Sequence, residues 1–583
     1  MNTALVVVLV FIGFSLAYRF YSGYIRNVMG EDDSRNTPAH SIRDDVDYAP
    51  AHPMVLFSHH FASIAGAGPI LGPTMAMAFG FMPTLFWVFL GTIFFGAVHD
   101  YTTLFVSMRE KGKSVAQIAS STMGRAGYVL FILFTLFMIV LVTAAFLGLT
   151  ATALSSLVPA KVLGLDPATT SLKVITHDGV QKVVIGGIAS TSVIIMTCFS
   201  PILGYLYYRR GISLWVSALL ALAVGVVSVV VGLSNPVMID PKTWMIILSV
   251  YVLIAAGIPV WMILQPRDFT NSFLLYIGLA LLFLGAMLGG FGGLSIQAPG
   301  FNIEEGMKKM GMIWPFLFIT VACGAISGFH SLVSGGTSSK QVSRESHTRR
   351  IGYGGMVLEG VLATLVLVAV GAGISFQNYM DIVWPAKGAN AILGFSLGMG
   401  GLLEKSIGVP MYIGTILGIL MIEGFIITTL DTAVRLNRYL FEELWSFIFK
   451  EVPGFMKTFW FNSGLSVVIM LYLGYSNAYT VIWPIFGSAN QLLSGLALIA
   501  VAMWLLYRGK PNWFVVLPAI FMMATTITAL YKLLVTRYLP SNNIPLVVTD
   551  LALMVLAVGV IILSVKKYFD YRNSNASTSS TSA

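Results

Sequence analysis

The chain is short of charged residues and of cysteine, and both shortages exclude whole classes of protein. Only 10% of its 583 residues are charged, whereas a soluble domain carries roughly 25%, so a water-soluble fold would expose too much apolar surface. The two cysteines, Cys198 and Cys323, lie in apolar segments and form neither a disulfide framework nor a C-x-x-C zinc pattern. No G-x-x-x-x-G-K-[ST] motif for ATP is present. We therefore expect no cofactor, no bound metal and no enzymatic activity.

Long apolar runs dominate the sequence instead. Hydrophobic residues make up 57% of the chain, and the mean hydropathy is +0.83. The runs fall at roughly 4–18, 54–79, 82–108, 127–157, 184–207, 212–233, 243–264, 271–293, 312–335, 352–375, 409–434, 458–476, 479–507, 513–533 and 544–565. They are continuous rather than alternating, which excludes a transmembrane barrel. We predict an all-α polytopic membrane protein with about fifteen helices of roughly 20 apolar residues. The stretch 389–403 is too short to span and is interpreted as a re-entrant or surface helix.

Lys and Arg are distributed unequally between alternate loops. If the 109–126 loop is cytoplasmic, 24 of these residues lie on the cytoplasmic side and 10 on the other. Cytoplasmic loops of membrane proteins carry the excess of Lys and Arg, so we expect the N-terminus outside and the C-terminus in the cytoplasm. Since topology requires these basic loops, the net charge of +9 does not indicate nucleic acid. The expected surroundings are the lipid bilayer.

Two glycine-rich segments resemble each other. Residues 64–74 read IAGAGPILGPT and residues 326–337 read ISGFHSLVSGGT, and each lies inside an apolar run. These are the second and the ninth runs. The second copy thus begins seven runs after the first, an odd number, so the two copies must cross the membrane in opposite directions. Inverted repeats built around discontinuous helices are typical of secondary transporters. The alternative is a pair of Gly/Pro kinks that serve packing.

The first segment cannot form one regular helix. Pro removes a backbone donor and clashes with the preceding turn, and Gly costs about 1 kcal/mol relative to Ala. A half-helix that restarts near Pro69 would point its free N–H groups and positive dipole end at a cavity. That arrangement suits a carboxylate, and the freed carbonyls suit a cation. We expect a third interruption at 483–495, where Ser488, Asn490 and Gln491 would face protein or water.

The organisation follows from these repeats. Residues 1–572 form a single transmembrane domain: an extra N-terminal helix (1–18), a first repeat plus inserted helices (54–293), and a second repeat with terminal helices (312–565). The first run lacks a basic n-region and a cleavage site, so we expect it to be retained rather than removed as a signal. The Ser/Thr/Asn-rich tail, 573–583, is predicted to be disordered.

Ionisable residues within the predicted runs are the candidates for coupling. The set is His59, His60, His99, Asp100, His330, Glu359, Glu423 and Asp431. Most of them fall in the cytoplasmic half of the membrane, where His and buried carboxylates can relay protons. The alternatives are interfacial or core histidines and, for Asp431, a structural ion pair with Arg435 one helical turn on.

Several motifs resemble the carbon starvation protein A family. They are TPAHSIRDDVDYAP (37–50), LFSHHFASIAGAGPILGPT (56–74), GAVHDYTTLFVSMREKGKS (96–114), ACGAISGFHSLVSGGTSSK (322–340), GYGGMVLE (352–359), TTLDTAVRLNRY (428–439) and WPIFGSANQLL (483–493). The region after about residue 510 carries no motif of the family. The resemblance implies a bacterial inner-membrane uptake system for peptides or for pyruvate with a proton, used under carbon starvation. It also implies membership of the amino acid–polyamine–organocation superfamily and its LeuT-like five-plus-five inverted repeat, with a seven-plus-seven repeat as the alternative.

The sequence and the resemblance together predict a proton-coupled importer of pyruvate or short peptides. A divalent-metal transporter on the same fold and a non-transporting nutrient sensor are the alternatives. The predicted substrate site comprises Ser63, Gly66, Gly68, Ile70, Ser327, Gly328, His330 and Ser331. The predicted proton relay comprises His59, His60, His99, Asp100, Glu359, Glu423 and Asp431. A candidate cation site comprises Ala65, Thr428, Thr429 and Thr432, and Ser488, Asn490 and Gln491 are assigned to gating. The sequence leaves the oligomeric state open.

Overall fold

A computed structural model describes residues 1–580 apart from 45–47, 259–261, 386–389 and 478, and it does not describe 581–583. The side chains of Leu214 and of 572–580 are also outside the description. The predicted disorder of the tail, 573–583, falls on these residues and is not tested. The described part is mostly helical, as predicted.

Residues 3–291 contain the helices of the N-terminal half. They are α1 (Thr3–Leu16), α2 (Ser22–Met29), α3 (Pro38–Ser41), α4 (Pro53–Ile64), α5 (Gly68–Ala76), α6 (Phe81–Gly91), α7 (Ala97–Arg109), α8 (Val115–Leu154), α9 (Ile185–Tyr208), α10 (Leu214–Ser234), α11 (Pro241–Gly257) and α12 (Leu264–Phe291). A five-residue π-helical segment joins α1 to α2 and another joins α6 to α7. Each of these pairs therefore forms one continuous span.

Residues 303–580 contain the remaining helices. They are α13 (Ile303–Met310), α14 (Ile313–Thr320), α15 (Ala322–Ala325), α16 (Phe329–Val333), α17 (Ser339–Gln341), α18 (Gly354–Gly373), α19 (Phe376–Val383), α20 (Ala391–Ile407), α21 (Met411–Ile448), α22 (Phe459–Ser476), α23 (Tyr479–Leu506), α24 (Trp513–Leu533) and α25 (Ile544–Ser580).

Twelve helices of the described chain are long and apolar enough to cross a membrane. The pair α4 and α5, bent by 47° at its break, raises the number to thirteen. The 17-residue α11 and the discontinuous series α14–α17 lie where the sequence predicts two further spans. The positions of the predicted runs are confirmed, whereas the total of about fifteen is not.

Burial separates an inner set of helices from an outer set. The most apolar stretches of the α18 and α23 spans are 89% buried, and those of α21 and α8 are 78% and 72% buried. The corresponding values for α10 and α25 are 28% and 33%, because their apolar side chains face outward, where lipid takes the place of protein. Two spans are discontinuous, α4–α5 and α14–α17, and we call them the two broken spans. They pack against the inner set.

The two broken spans run antiparallel to each other. A Cβ atom on Gly68 would lie 2.4 Å from Cys323 Sγ, and one on Gly72 would lie 2.6 Å from the Thr320 carbonyl oxygen. Earlier in the first broken span, His60 Nδ1 lies 2.8 Å from Ser338 Oγ. Residue numbers therefore rise along α4–α5 as they fall along the partner. This confirms the opposite directions predicted from the odd number of runs.

One predicted feature is wrong and another is narrowed. For 389–403, the surface helix is excluded, because residues 391–403 are buried against α12, α18 and α21, and the re-entrant helix stays a prediction; residue 389 lies outside the described residues. The predicted interruption at 483–495 does not exist, because α23 is continuous from Tyr479 to Leu506. Pro484 lies inside the helix, just after its first turn, and removes one intrahelical donor without ending the helix.

A small sheet was not predicted. Strands β1 (Val158–Pro159), β2 (Val174–His177) and β3 (Val180–Val183) form an antiparallel sheet in the order β1-β3-β2. It closes the connection between α8 and α9. Its strands of two and four residues are too short for the alternating pattern that marks a strand in sequence.

Candidate functional site

The first break lies between Ile64 and Gly68. The Gly66 N–H donates to the Ile64 carbonyl (2.8 Å), and the Ile70 and Leu71 N–H groups donate to Ala67 (3.1 and 2.9 Å). Within the described residues, the N–H groups of Ala67 and Gly68 have no backbone partner. Pro69, in the first turn of α5, has no N–H at all. The N-terminus of α5 thus presents two free donors, as the glycine pattern predicts.

Close packing fixes what each glycine of this break faces. A Cβ on Gly66 would lie 3.2 Å from Thr429 Oγ1 on α21, a tight contact, and 3.8 Å from the ring of Phe146 on α8. Gly68 faces Cys323 directly. The break is therefore packed against α21 and α8 at Gly66 and against the second broken span at Gly68.

Replacing Gly68 by Ala tests this contact. Its Cβ would meet both Cβ and Sγ of Cys323 at 2.4 Å, and overpacking a core costs about 1–3 kcal/mol. We expect a lower thermal unfolding temperature in detergent. Adding Cys323→Gly should restore it, since both clashing atoms are removed. Cys323→Ala keeps the Cβ and should not restore it; equal rescue by both substitutions would refute this packing.

The second break lies between Ala325 and Phe329 and is held by Asn490. Asn490 Oδ1 accepts from the Phe329 N–H (2.9 Å), its carbonyl oxygen accepts from the Gly328 N–H (3.0 Å), and its Nδ2 donates to Ser327 Oγ (3.1 Å). A Cβ on Gly328 would lie 2.3 Å from that carbonyl oxygen. Asn490, assigned to gating, thus satisfies the unwound backbone of the second broken span.

Replacing Asn490 by Leu should therefore destabilise the protein. The Phe329 N–H and Ser327 would lose their partner, and a buried polar group without a partner costs about 1–3 kcal/mol. Thermal unfolding in detergent measures the effect. Ser494→Ala is the matched control, because Ser494 Oγ donates only to Gln491 of its own helix (2.6 Å). Equal unfolding temperatures for both variants would contradict the assignment.

Four buried titratable residues meet beside the second break. Asp100 on α7 lies 2.7 Å from His330 Nδ1 through Oδ2 and 2.7 Å from His99 Nδ1 through Oδ1. Glu359 Oε2 on α18 lies 3.3 Å from His330 Nε2, within ion-pair range but outside hydrogen-bond geometry. All four side chains are fully buried. We call His99, Asp100, His330 and Glu359 the histidine cluster.

The other two relay histidines lie outside this cluster. His60 is buried and bonds Ser338 Oγ at 2.8 Å. His59 lies on the exposed face of α4 and within electrostatic range of Asp268. Ser63, on the same helix, donates to the His59 carbonyl (2.8 Å). The three contacts within the cluster therefore join residues of α7, α16 and α18.

Asp431 has a different partner from the one expected. Its Oδ2 lies 2.6 Å from Arg267 Nη1 and 3.1 Å from Tyr251 Oη. Arg435 instead donates to the backbone carbonyls of Ala255 and Ile258. The predicted Asp431–Arg435 pair is wrong, because α12 brings a guanidinium nearer than the next turn of α21 does. Arg267, counted with the loops above, is 2% exposed.

The predicted cation-site residues are not brought together around one point. Thr428 Oγ1 donates to Asp268 Oδ1 (2.8 Å) and lies 3.4 Å from Arg267 Nη2. Thr429 Oγ1 donates to Phe425 of its own helix (2.9 Å), the back-bonding common for hydroxyls in helices. Ala65 caps α4, and Thr432 is half-buried. A guanidinium beside Thr428 disfavours a metal cation there.

Of the remaining predicted residues, three donate to backbone carbonyls and one has an oxygen without a partner. Ser331 Oγ donates to Gly328 (2.7 Å), Ser488 Oγ to Pro484 (2.8 Å), and Gln491 Nε2 to Phe318 (2.7 Å). Glu423 is 1% exposed, and its Oε2 has no hydrogen-bond partner among the described residues.

Sequence reasoning missed Arg267, Asp268 and Tyr251. Arg267 and Asp268 fall between two apolar runs, where low hydropathy is expected of a loop. The structure instead starts α12 at Leu264 and buries the guanidinium. The available signal was the need of Asp431 for a buried cation.

Comparisons with known proteins agree on one family. The family model described as carbon starvation protein CstA matches residues 2–391 and 385–529. A peptide transporter CstA of Bacillus subtilis (strain 168) is 30% identical over 97% of both chains. A pyruvate/proton symporter BtsT of Escherichia coli (strain K12) is 28% identical over 88% of this chain and 79% of its own. Among solved structures, MhsT in complex with L-phenylalanine matches 89% of this chain and 99% of that one, with 11% identity and a TM-score of 0.42.

Proposed function

The chain belongs to the carbon starvation protein CstA family, and we propose that it is a proton-coupled secondary importer of a small carboxylate, pyruvate or a short peptide. The observation that carries the proposal is the antiparallel pair of broken helices, with the buried histidine cluster beside the second of them. Broken helices place backbone groups at membrane depth, where only a cavity or protein tolerates them. The relatives described above are named a peptide transporter and a pyruvate/proton symporter, which supports the same conclusion.

The substrate carboxylate would bind at the N-terminus of α5. The free N–H groups of Ala67 and Gly68 and the positive end of the helix dipole favour an anion there. The Phe146 ring lies next to Gly66. An apolar wall beside two amide donors suits a short carboxylate with a small apolar body.

The coupling proton would bind in the histidine cluster. Asp100 and a protonated His330 neutralise each other at 2.7 Å, so the charge of the cluster depends on Glu359. Both Glu359 oxygens lack a hydrogen bond among the described residues, and an unpaired buried carboxylate is costly unless it is protonated. Gain or loss of that proton changes the charge beside α16, which packs against α4. This links the proton to the relative positions of the two broken spans.

The site would open toward the cytoplasm. All nine residues of α5 are buried, whereas Met54 and Val55 on α4 are 56% and 64% exposed and His59 is exposed on the same face. A histidine facing lipid is unfavourable, so a water-filled vestibule along α4 explains this exposure better. With the basic loops on that side, we propose a bacterial inner membrane, the N-terminus outside and the C-terminus in the cytoplasm.

Uptake by the purified protein in liposomes tests the function. Labelled pyruvate and a panel of dipeptides are offered with and without an inwardly directed proton gradient. We expect one class to accumulate above equilibrium only with the gradient. Equilibration at the same rate with and without the gradient would exclude proton coupling. Binding without counterflow would indicate a nutrient sensor instead.

A divalent-metal transporter is not favoured. The relatives carry peptides or pyruvate by name. Among the described residues, no three His, Cys, Asp or Glu side chains are grouped so as to hold a metal ion.

A further inference from the structure

Helices α12 and α21 pack antiparallel, and polar groups are buried between them. Gly424 on α21 faces Asn271, and Gly278 on α12 faces Met421. Toward the cytoplasmic end of this interface, Arg267 pairs with Asp431 at 2.6 Å. Glu423 lies two helical turns before Asp431 on α21. The interface therefore contains one cation and two buried carboxylates.

The charge count leaves Glu423 without a counter-ion. Arg267 and Asp431 neutralise each other, and Asp268, which is 34% exposed, also shares the guanidinium (2.8 Å). Among the described residues, Arg267 and Asp431 are the charged groups within electrostatic range of Glu423. Around them, α11 contributes the Tyr251 hydroxyl, and α4 contributes His59, which lies within electrostatic range of Asp268. Arg435 also lies within electrostatic range of Asp431. An ionised Glu423 would thus add a negative charge beside Arg267, a cation that is already paired.

Unsatisfied polar atoms mark the same place. In the described part of the chain, Glu423 Oε2, Asp431 Oδ1, Asn271 Oδ1 and Arg267 Nε are buried without a hydrogen-bond partner. Asn271 is 7% exposed and the other three residues at most 2%. Buried polar atoms without partners are uncommon in folded proteins. Three of the four are acceptors, so unpartnered acceptors outnumber unpartnered donors at this interface. A proton on Glu423 would convert one acceptor into a donor.

The histidine cluster has the same composition. There, the His330–Asp100 pair lies beside Glu359, whose oxygens also lack partners. The two glutamates lie on different helices, α18 and α21. The charged neighbours of Glu423 do not include any member of the histidine cluster. Each site thus combines one neutral ion pair with a glutamate that has at least one oxygen without a hydrogen-bond partner among the described residues.

We propose that Glu423 is a second proton-binding site, separate from Glu359, and that the importer moves two protons with each substrate. Only the transport part of this inference, the movement of two protons with each substrate, rests on the proposed function. Protonation of Glu423 can be tested without transport.

Infrared difference spectroscopy of the purified protein tests the protonation. The C=O stretch of a protonated carboxylic acid absorbs at a different frequency from the stretches of a carboxylate. The frequency of this C=O stretch shifts in D₂O. We expect Glu423→Gln to remove one such band and Glu359→Gln to remove another. The side-chain amide of Gln has the shape of the protonated acid, so both variants should fold. A spectrum of Glu423→Gln identical to wild type would overturn the inference whatever the transport result.

Accumulation in liposomes tests the second proton. At zero membrane potential and a gradient of one pH unit, two protons give roughly 100-fold accumulation and one gives roughly tenfold. We expect roughly 100-fold for wild type and a lower ratio for Glu423→Gln. Roughly tenfold accumulation by both proteins would overturn the inference. No accumulation by wild type would contradict the proposed function, and the infrared result would still decide whether Glu423 binds a proton.

Asp550→Asn is the matched control. Asp550 on α25 is also fully buried, and both its oxygens lack partners among the described residues. It lies on an outer helix that is not in the charge neighbourhood of Glu423. We expect Asp550→Asn to remove a carboxylic acid band while leaving accumulation unchanged. If it lowered the accumulation ratio as much as Glu423→Gln does, a specific role for Glu423 would be refuted.

Discussion

Replacing Asp100 by Asn should abolish uptake driven by a pH gradient while sparing exchange. Asp100 is the fully buried counter-ion of His330 and also bonds His99, each at 2.7 Å. Breaking a buried ion pair costs about 3–5 kcal/mol, so His330 should lose its proton in the variant. Without the His330 charge beside it, Glu359 should keep its proton, so driven uptake, which needs Glu359 to bind and release a proton, should fall by roughly two to three orders of magnitude. Exchange of internal for external substrate needs no net proton movement and should continue.

The comparison needs an acidic residue outside the site. Asp381 on α19 is exposed and bonds Gln377 (3.1 Å), so Asp381→Asn should leave both activities at wild-type levels. Driven uptake and counterflow are measured in the same liposome preparation. Normal driven uptake by Asp100→Asn would remove this residue from the coupling mechanism.

Replacing Arg267 by Met should cause the largest loss of stability. Asp431, 1% exposed, would lose its cation, and an unpaired charge left by breaking a buried pair costs about 3–5 kcal/mol. Thermal unfolding in detergent is the measurement. The double variant Arg267→Met/Asp431→Leu should recover part of the loss, because it removes the stranded carboxylate as well.

Arg435→Met distinguishes the two candidate partners of Asp431. Arg435 donates to the Ala255 and Ile258 carbonyls and not to Asp431. It should cost less than Arg267→Met, and Asp431→Leu should not rescue it. Rescue of Arg435→Met by Asp431→Leu, without rescue of Arg267→Met, would show that the partner is Arg435 after all.

The spans and the first break were predictable because their causes are local. Apolar runs mark helices in lipid, and the Gly and Pro residues of 66–73 cannot form a regular helix. The opposite directions of the two broken spans followed from counting runs. Asn490 shows the limit of such reasoning. Its polarity predicted an interruption in its own helix, whereas it satisfies an interruption in a neighbouring one.

The site was predictable only as a list of candidates. Depth in the membrane selected His330, Asp100, Glu359 and His60 together, but only tertiary packing decides which of them meet. Helix α7 turns Asp100 toward His330, while His60 bonds Ser338. Arg267 was missed for the same reason, since hydropathy does not distinguish a loop from the polar first turn of a buried helix.

Proton movement driven by substrate is the most direct test of proton-coupled import. Liposomes containing the protein and a pH-sensitive dye start with equal pH inside and outside, and an inward gradient of substrate is then imposed. We predict acidification of the lumen with wild type, and none with Asp100→Asn. Entry of labelled substrate into wild-type liposomes at constant internal pH would contradict proton coupling.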